Sequence, residues 1–116
     1  MREIHFGDEV IRVQGSPYAG YLYNTEFTSD DKRADWHRDF FSSMHDGEVV
    51  HIEPMFLLKT CWAMARCHDD AFPPFETWIR GLDVGMRLNE PWIMEVYQAI
   101  FAEMFRNSEE TTETDE

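Results

Sequence analysis

Five histidines, two cysteines and one aspartate pair are the residues of this chain whose types could carry chemistry, and their spacing speaks against each chemistry in turn. A structural zinc site needs donor pairs such as Cys-x2-Cys or His-x3-His, which let one turn present two ligands. Here His37 and His45 are eight apart, and His68 directly follows Cys67, which points the two side chains away from each other. The histidines read as surface or cap residues, and no metal is expected. Cys61 and Cys67 lie about 240° apart around a helical axis, so they cannot bridge on one helix. They read as small buried apolar residues. Cys67 falls near a helix C-terminus, where the dipole raises a thiol pKa instead of activating the sulfur. Asp35 and Asp39 could share a helix face as paired carboxylates, but a solvated face accounts for them more simply. There is no Gly-x-Ser-x-Gly elbow, no glycine-rich phosphate loop and no His-Glu-x-x-His. The expectation is a chain that is not an enzyme and takes no cofactor.

Large apolar residues are plentiful where reactive ones are sparse. Between Leu57 and Phe105 run Leu57-Leu58-Lys59-Thr60-Cys61-Trp62-Ala63-Met64-Ala65, then Pro74-Phe75-Glu76-Thr77-Trp78-Ile79, then Trp92-Ile93-Met94-Glu95-Val96. With 43% apolar and 15% aromatic residues in 116, the chain can fill one core but not two, and is folded, not disordered. Charged or polar residues interrupt every apolar run, so none reaches the length of a membrane span. Met1-Arg2-Glu3-Ile4-His5 lacks the apolar centre of a signal peptide, which leaves a cytoplasmic protein as the expectation. The net charge is −13, and five of the 23 acids follow Arg106. The remainder, 18 acids against ten bases, still carries −8. Such a surface repels nucleic acid and anionic lipid and suits solubility or a basic partner.

These patterns fix the elements that position the large residues. Glu3-Ile4-His5-Phe6 and Glu9-Val10-Ile11-Arg12-Val13 flank the turn pair Gly7-Asp8, predicting a β-hairpin over 1–14 with one face covered by helices. Ser16-Pro17 caps and starts a first helix carrying Tyr18, Tyr21 and Leu22 and closed by Phe27. Ser29-Asp30-Asp31 predicts a second cap. The helix it starts has Trp36, Phe40, Phe41 and Met44 on one side, Asp35, Arg38 and Asp39 on the other, and its end at Asp46-Gly47-Glu48. Glu53-Pro54 to about Cys67 is apolar nearly all round and reads as the central helix. Pro74 starts a short helix to about Leu82. Asn89-Glu90-Pro91 starts the last one, with apolar pairs Trp92/Ile93, Val96/Tyr97, Ile100/Phe101 and Met104/Phe105. Trp62 and Trp78 read as core. Phe101 and Phe105 fit either core or a docking ridge, core packing being favoured for the stripe as a whole. The fold class is mostly α (α+β): a small N-terminal hairpin followed by about five helices around one core. A single domain spans 1–106, its helical part 17–106, and an acidic tail at 107–116 is expected to be disordered.

In order, these segments resemble the small tail assembly chaperones of long-tailed bacteriophages and prophages. The resemblance rests on Tyr18-Ala19 through Tyr23, Glu26-Phe27, Trp62-Ala63-Met64, Pro74-Phe75-Glu76-Thr77-Trp78-Ile79, Leu82-Asp83-Val84 and Trp92-Ile93-Met94-Glu95-Val96, and covers roughly 3–106. One departure is Phe27-Thr28-Ser29-Asp30, where the family pattern leads one to expect a glycine after the phenylalanine. The resemblance implies a non-enzymatic protein that binds the long helical tape measure protein before tail-tube subunits polymerise around it. It further implies self-association, for which the hairpin edge offers a seam, and absence from the finished virion. The surfaces then expected to meet the partner are Tyr18, Tyr21 and Leu22 on the first helix and Val96, Tyr97, Ile100, Phe101, Met104 and Phe105 on the last. The rival reading is an acidic regulatory protein, an antirepressor or DNA mimic occupying a basic groove. It needs carboxylates spaced like phosphates along one face, whereas here the acids are scattered among bases.

Overall fold

Gly7 turns the chain back on itself with φ 63°, the left-handed geometry that glycine adopts without strain. The strands it joins, β1 (Arg2–Phe6) and β2 (Glu9–Val13), pair antiparallel with Ile4 opposite Ile11. Strict alternation puts Ile4, Phe6, Ile11 and Val13 on the buried face. The computed structural model describes residues 1–42, 44–45, 48–49 and 51–105. Among these the hairpin is followed by α1 (Pro17–Phe27), α2 (Trp36–Phe41), a two-residue ladder of β3 (Met44–His45) with β4 (Glu48–Val49), α3 (Pro54–His68), α4 (Phe75–Arg80) and α5 (Pro91–Ala99). A π-helical turn, Ile100–Met104, continues α5. The acidic segment 107–116 lies outside the described residues. None of the described helices is long and apolar enough to cross a membrane.

The central position belongs to α3. From Phe56 to Ala65 every residue but Lys59 is buried, and α3 meets α1, α2, α5 and β2. The hairpin lies over α3 and α5, held by Gln14 N–H donating to the Met64 carbonyl at 3.0 Å. The His5 N–H donates to Glu95 Oε1 at 2.7 Å, so α5 takes up this polar group of the hairpin edge. Phe6 packs edge-on against Trp78 and beside Trp92, with ring centroids 5.7 and 5.5 Å away.

Ser16 caps α1 as its sequence suggests, its hydroxyl accepting from Tyr18 N–H at 3.1 Å with Pro17 in the first turn. Thr28 leaves α1 in extended geometry (φ −76°, ψ 133°), which any residue adopts, so no glycine is needed there. The second helix starts later than expected. Ser29 does not cap it; its N–H closes a turn on the Lys32 carbonyl at 2.8 Å. Asp35 is the cap, accepting from Arg38 N–H. Side chains of α1 and its C-cap hold this connection: Asn24 Oδ1 accepts from Trp36 N–H and Thr28 Oγ1 from Ala34 N–H, each at 2.8 Å. The helix also ends early, at Phe41, and Met44 belongs to β3.

Three tryptophans carry polar ties through the core. Trp36 Nε1 donates to Thr60 Oγ1 at 3.0 Å, Trp62 Nε1 to the Pro73 carbonyl and Trp92 Nε1 to the Gly85 carbonyl, both at 2.9 Å. The last two pin the loops on either side of α4. Trp62 and Trp78 are both buried, as their sequence context suggests.

Candidate partner-binding surface

On α1, three residues apart, Tyr18 and Tyr21 stand outward. They are 51% and 62% exposed and stacked on one another, with centroids 6.0 Å apart and planes 17° from parallel. Residues three apart on a helix are surface neighbours, so the stack is a consequence of spacing. Between them lies Gly20, where a Cβ would meet nothing within 4 Å. The helix backbone is therefore open to close approach at that point.

Across from Tyr21 runs α2. Its Phe40 is buried, and Phe41, the next residue, is rotated about 100° away and left 50% exposed. His37 stacks on Phe41 with centroids 5.8 Å apart. Between α1, α2 and the π-helical turn is a groove of about 360 Å³, with Gly20, Tyr21 and Asn24 on one wall, Asp35 and His37 on the other, and Met104 at one end.

The π-helical turn brings the C-terminal aromatics to this edge. Phe105 N–H reaches back to the Ile100 carbonyl at 3.3 Å, five residues earlier. Such turns recur at functional sites because they re-aim side chains relative to a regular helix. Phe105 packs against Phe40 at 5.2 Å and Trp36 at 5.6 Å, and also reaches Phe41 at 6.2 Å. Core and exposed rim are thus continuous through one aromatic cluster.

Of the nine residues expected to meet a partner, the structure brings some together here and removes others. Tyr18 and Tyr21 are exposed, and Met104 ends the groove. Leu22, Phe101 and Phe105 are half-buried against the core. Val96, Tyr97 and Ile100 need correction: all three are buried, Val96 and Ile100 without any exposed surface. The α5 stripe is wide because it packs on two elements at once, β1 and α3. The exposed residues of α5 are Pro91, Met94 and Gln98.

Residues missed from the sequence are Gly20, His37 and Phe41.

Two titratable groups, Tyr23 and Cys61, are shifted toward their neutral forms. Burial pushes the Tyr23 phenol well above its ordinary range, helped by its hydrogen bond to Asp39 Oδ2 at 2.8 Å and by that carboxylate's charge. Burial alone pushes the Cys61 thiol up. Both cysteines are free, and Cys67 Sγ lies 3.2 Å from Ser16 Oγ. Asp35 and Asp39 do not act as a pair, since the first caps α2 while the second accepts from Tyr23. Among the described residues no three His, Cys, Asp or Glu side chains converge as metal ligands would. Compared with protein families, curated proteins and solved structures, the chain matches none.

Proposed function

We propose that this chain is a non-enzymatic assembly chaperone of the phage-tail type, which holds the long helical tape measure protein before the tail tube forms. The observation that carries this reading is the set of exposed aromatic residues on α1 and α2, Tyr18, Tyr21 and Phe41, beside a groove that Tyr21 and the open Gly20 help to line. Aromatic side chains supply large contact area at low entropic cost, and a small residue in the wall lets a partner helix approach closely. Many copies, each weakly held, would coat one long partner, and the charge of −13 would keep the coated complex in solution. The order of the segments, which resembles that of tail assembly chaperones, supports the same reading. The protein would act in the bacterial cytoplasm, associate with further copies of itself on the partner, and be absent from the finished particle.

Co-expression with the tape measure protein encoded in the same gene cluster tests this. That partner is expected to be soluble in the presence of the chain and to co-purify with it. Equal insolubility with and without the chain would sink the assignment.

A further inference from the structure

In an antiparallel pair, residues opposite one another either exchange both backbone bonds or both turn those groups outward. His5 turns outward, since its N–H leaves the hairpin to donate to Glu95 Oε1 at 2.7 Å. Its partner across the hairpin, Val10, therefore turns its N–H and carbonyl away from β1, and so does Arg12, two residues on. Gln14 continues this outer edge of β2, and its N–H is taken by the Met64 carbonyl of α3. Val10 and Arg12 have no such cover: among the described residues no group bonds their outward N–H or carbonyl. Beyond the Gln14 bond, a groove of about 590 Å³ lies between this edge and the last turn of α3, with Ala65 and Phe72 on its far side. An unpaired edge with room beside it is a template for a further strand.

The charge along the groove decides which strand fits. Glu3, Glu9 and Asp69 line it, against Arg12 and His68. Arg12 Nε lies 3.6 Å from Glu3 Oε2, so these two are matched. Glu9 and Asp69 have no cationic partner among the described residues. A second copy of β2 laid on this edge would bring the same excess of acid with it, and the segment 107–116 would bring carboxylates and no base. Like charges across a strand pair are destabilising and opposite ones favourable, so the groove suits a basic strand.

We propose that the outer edge of β2 binds an extended segment of another polypeptide, alternating basic and apolar residues, as an antiparallel third strand. The residues opposite Val10 and Arg12 exchange both backbone bonds with each of them. The apolar residue between them lies opposite Ile11, on the inner face, against Ala65 and Phe72. The basic side chains offset Glu9 and Asp69. Backbone bonds hold such a strand, and its alternate side chains select it. The site is separate from the α1–α2 groove, and the inference does not rest on the tail-chaperone reading.

The test is an NMR titration of the isotope-labelled full chain with the capped peptide Lys-Val-Lys-Val-Lys. Solvent exchange of the Val10 and Arg12 amide protons is expected to slow about tenfold at saturating peptide, and binding to weaken as salt is raised. N-methylation of the peptide's lysine amides, which face β2, is expected to abolish binding, whereas N-methylation of its valine amides, which face away, leaves it intact. Val10→Pro removes an outward N–H that the hairpin does not use, and is expected to abolish binding while the protein stays folded. Val10→Thr keeps that N–H and is expected to bind as the wild type does. The methylated peptides probe the wild-type chain, so the outcome does not depend on the proline variant folding. Glu9→Gln and Asp69→Asn are each expected to weaken binding about threefold, as for loss of one exposed ion pair. No slowing at the two amides at millimolar peptide would overturn the proposal. So would equal binding of Glu-Val-Glu-Val-Glu, or of the peptide methylated on its lysine amides. Protection of the same amides that rises with protein concentration, with no peptide present, would overturn it as well, because a second copy would then hold the edge.

Discussion

Gly15 and Glu103 are pressed together across the molecule. The Gly15 N–H donates to Glu103 Oε1 at 3.1 Å, and a Cβ built on Gly15 would overlap the Glu103 backbone carbonyl. The other oxygen of that carboxylate lies 3.4 Å from the amino group of Met1. The π-helical turn thereby straps the corner between the hairpin and α1. Gly15→Ala is expected to destabilise the protein by about 1–3 kcal/mol through overpacking against backbone that cannot give way. Urea denaturation of the wild type and the variant at one temperature reads it directly, and an unchanged midpoint would mean that the strap is loose.

The bond from Trp36 Nε1 to Thr60 Oγ1 is the polar link inside the core between α2 and α3. Thr60 has no exposed surface, so water cannot replace it. Thr60→Val keeps the shape and leaves the indole N–H without an acceptor, at an expected cost of about 1–3 kcal/mol. Thr60→Ser restores the acceptor and loses only a methyl group, and is expected to fall between the wild type and valine. If valine is as stable as threonine, the bond contributes nothing net.

The contrast between elements that could be read from the sequence and those that could not has a physical basis. The hairpin, the Ser16–Pro17 start and the central α3 follow from local rules: a glycine-bearing turn, a cap and an all-round apolar run. The start of α2 does not, because Ser29 and Asp35 both carry cap chemistry and the choice falls to Asn24 and Thr28, which hold Trp36 and Ala34 from another helix. The burial of Val96 and Ile100 was open for a related reason. A stripe records which side of a helix is apolar, but not that β1 and α3 both cover it. At the candidate surface, Tyr18 and Tyr21 were legible because they lie at helical spacing on a helix with a clear start. The wall that α2 adds to the groove was not, since Asp35 and His37 are brought beside α1 only by the fold.

Stability is expected to fall at alkaline pH. The Tyr23 phenol and the Cys61 thiol are raised in the folded chain, and in the unfolded chain they ionise near their ordinary values of about 10 and about 9. Below those values both states hold the protons and the full contribution is present. Above them the unfolded chain releases protons that the folded chain keeps, so stability declines as pH rises. Each group adds a slope approaching about 1.4 kcal/mol per pH unit. Tyr23→Phe is expected to lose the Asp39 hydrogen bond at neutral pH and to flatten the decline above pH of about 10. Denaturation midpoints across this range, for wild type and variant, check it. Identical alkaline slopes would show that Tyr23 does not carry the effect.

Gly20 offers a test of the groove that leaves the core untouched. A side chain there would enter open space, and the position has no left-handed backbone that only glycine tolerates. Gly20→Ala is therefore expected to leave stability unchanged or raise it by up to about 1 kcal/mol, the helix-propensity difference. Gly20→Trp should fold as well, but it would fill the space between Tyr21 and α2 that a partner helix needs. Co-purification with the tape measure protein is expected to survive the alanine change and to be lost with tryptophan, while thermal melts show both variants folded. Tyr21→Ala would weaken capture without blocking the groove. If the tryptophan variant captures the partner as well as wild type does, the partner binds on another face, and the exposed tyrosine stack needs a different account.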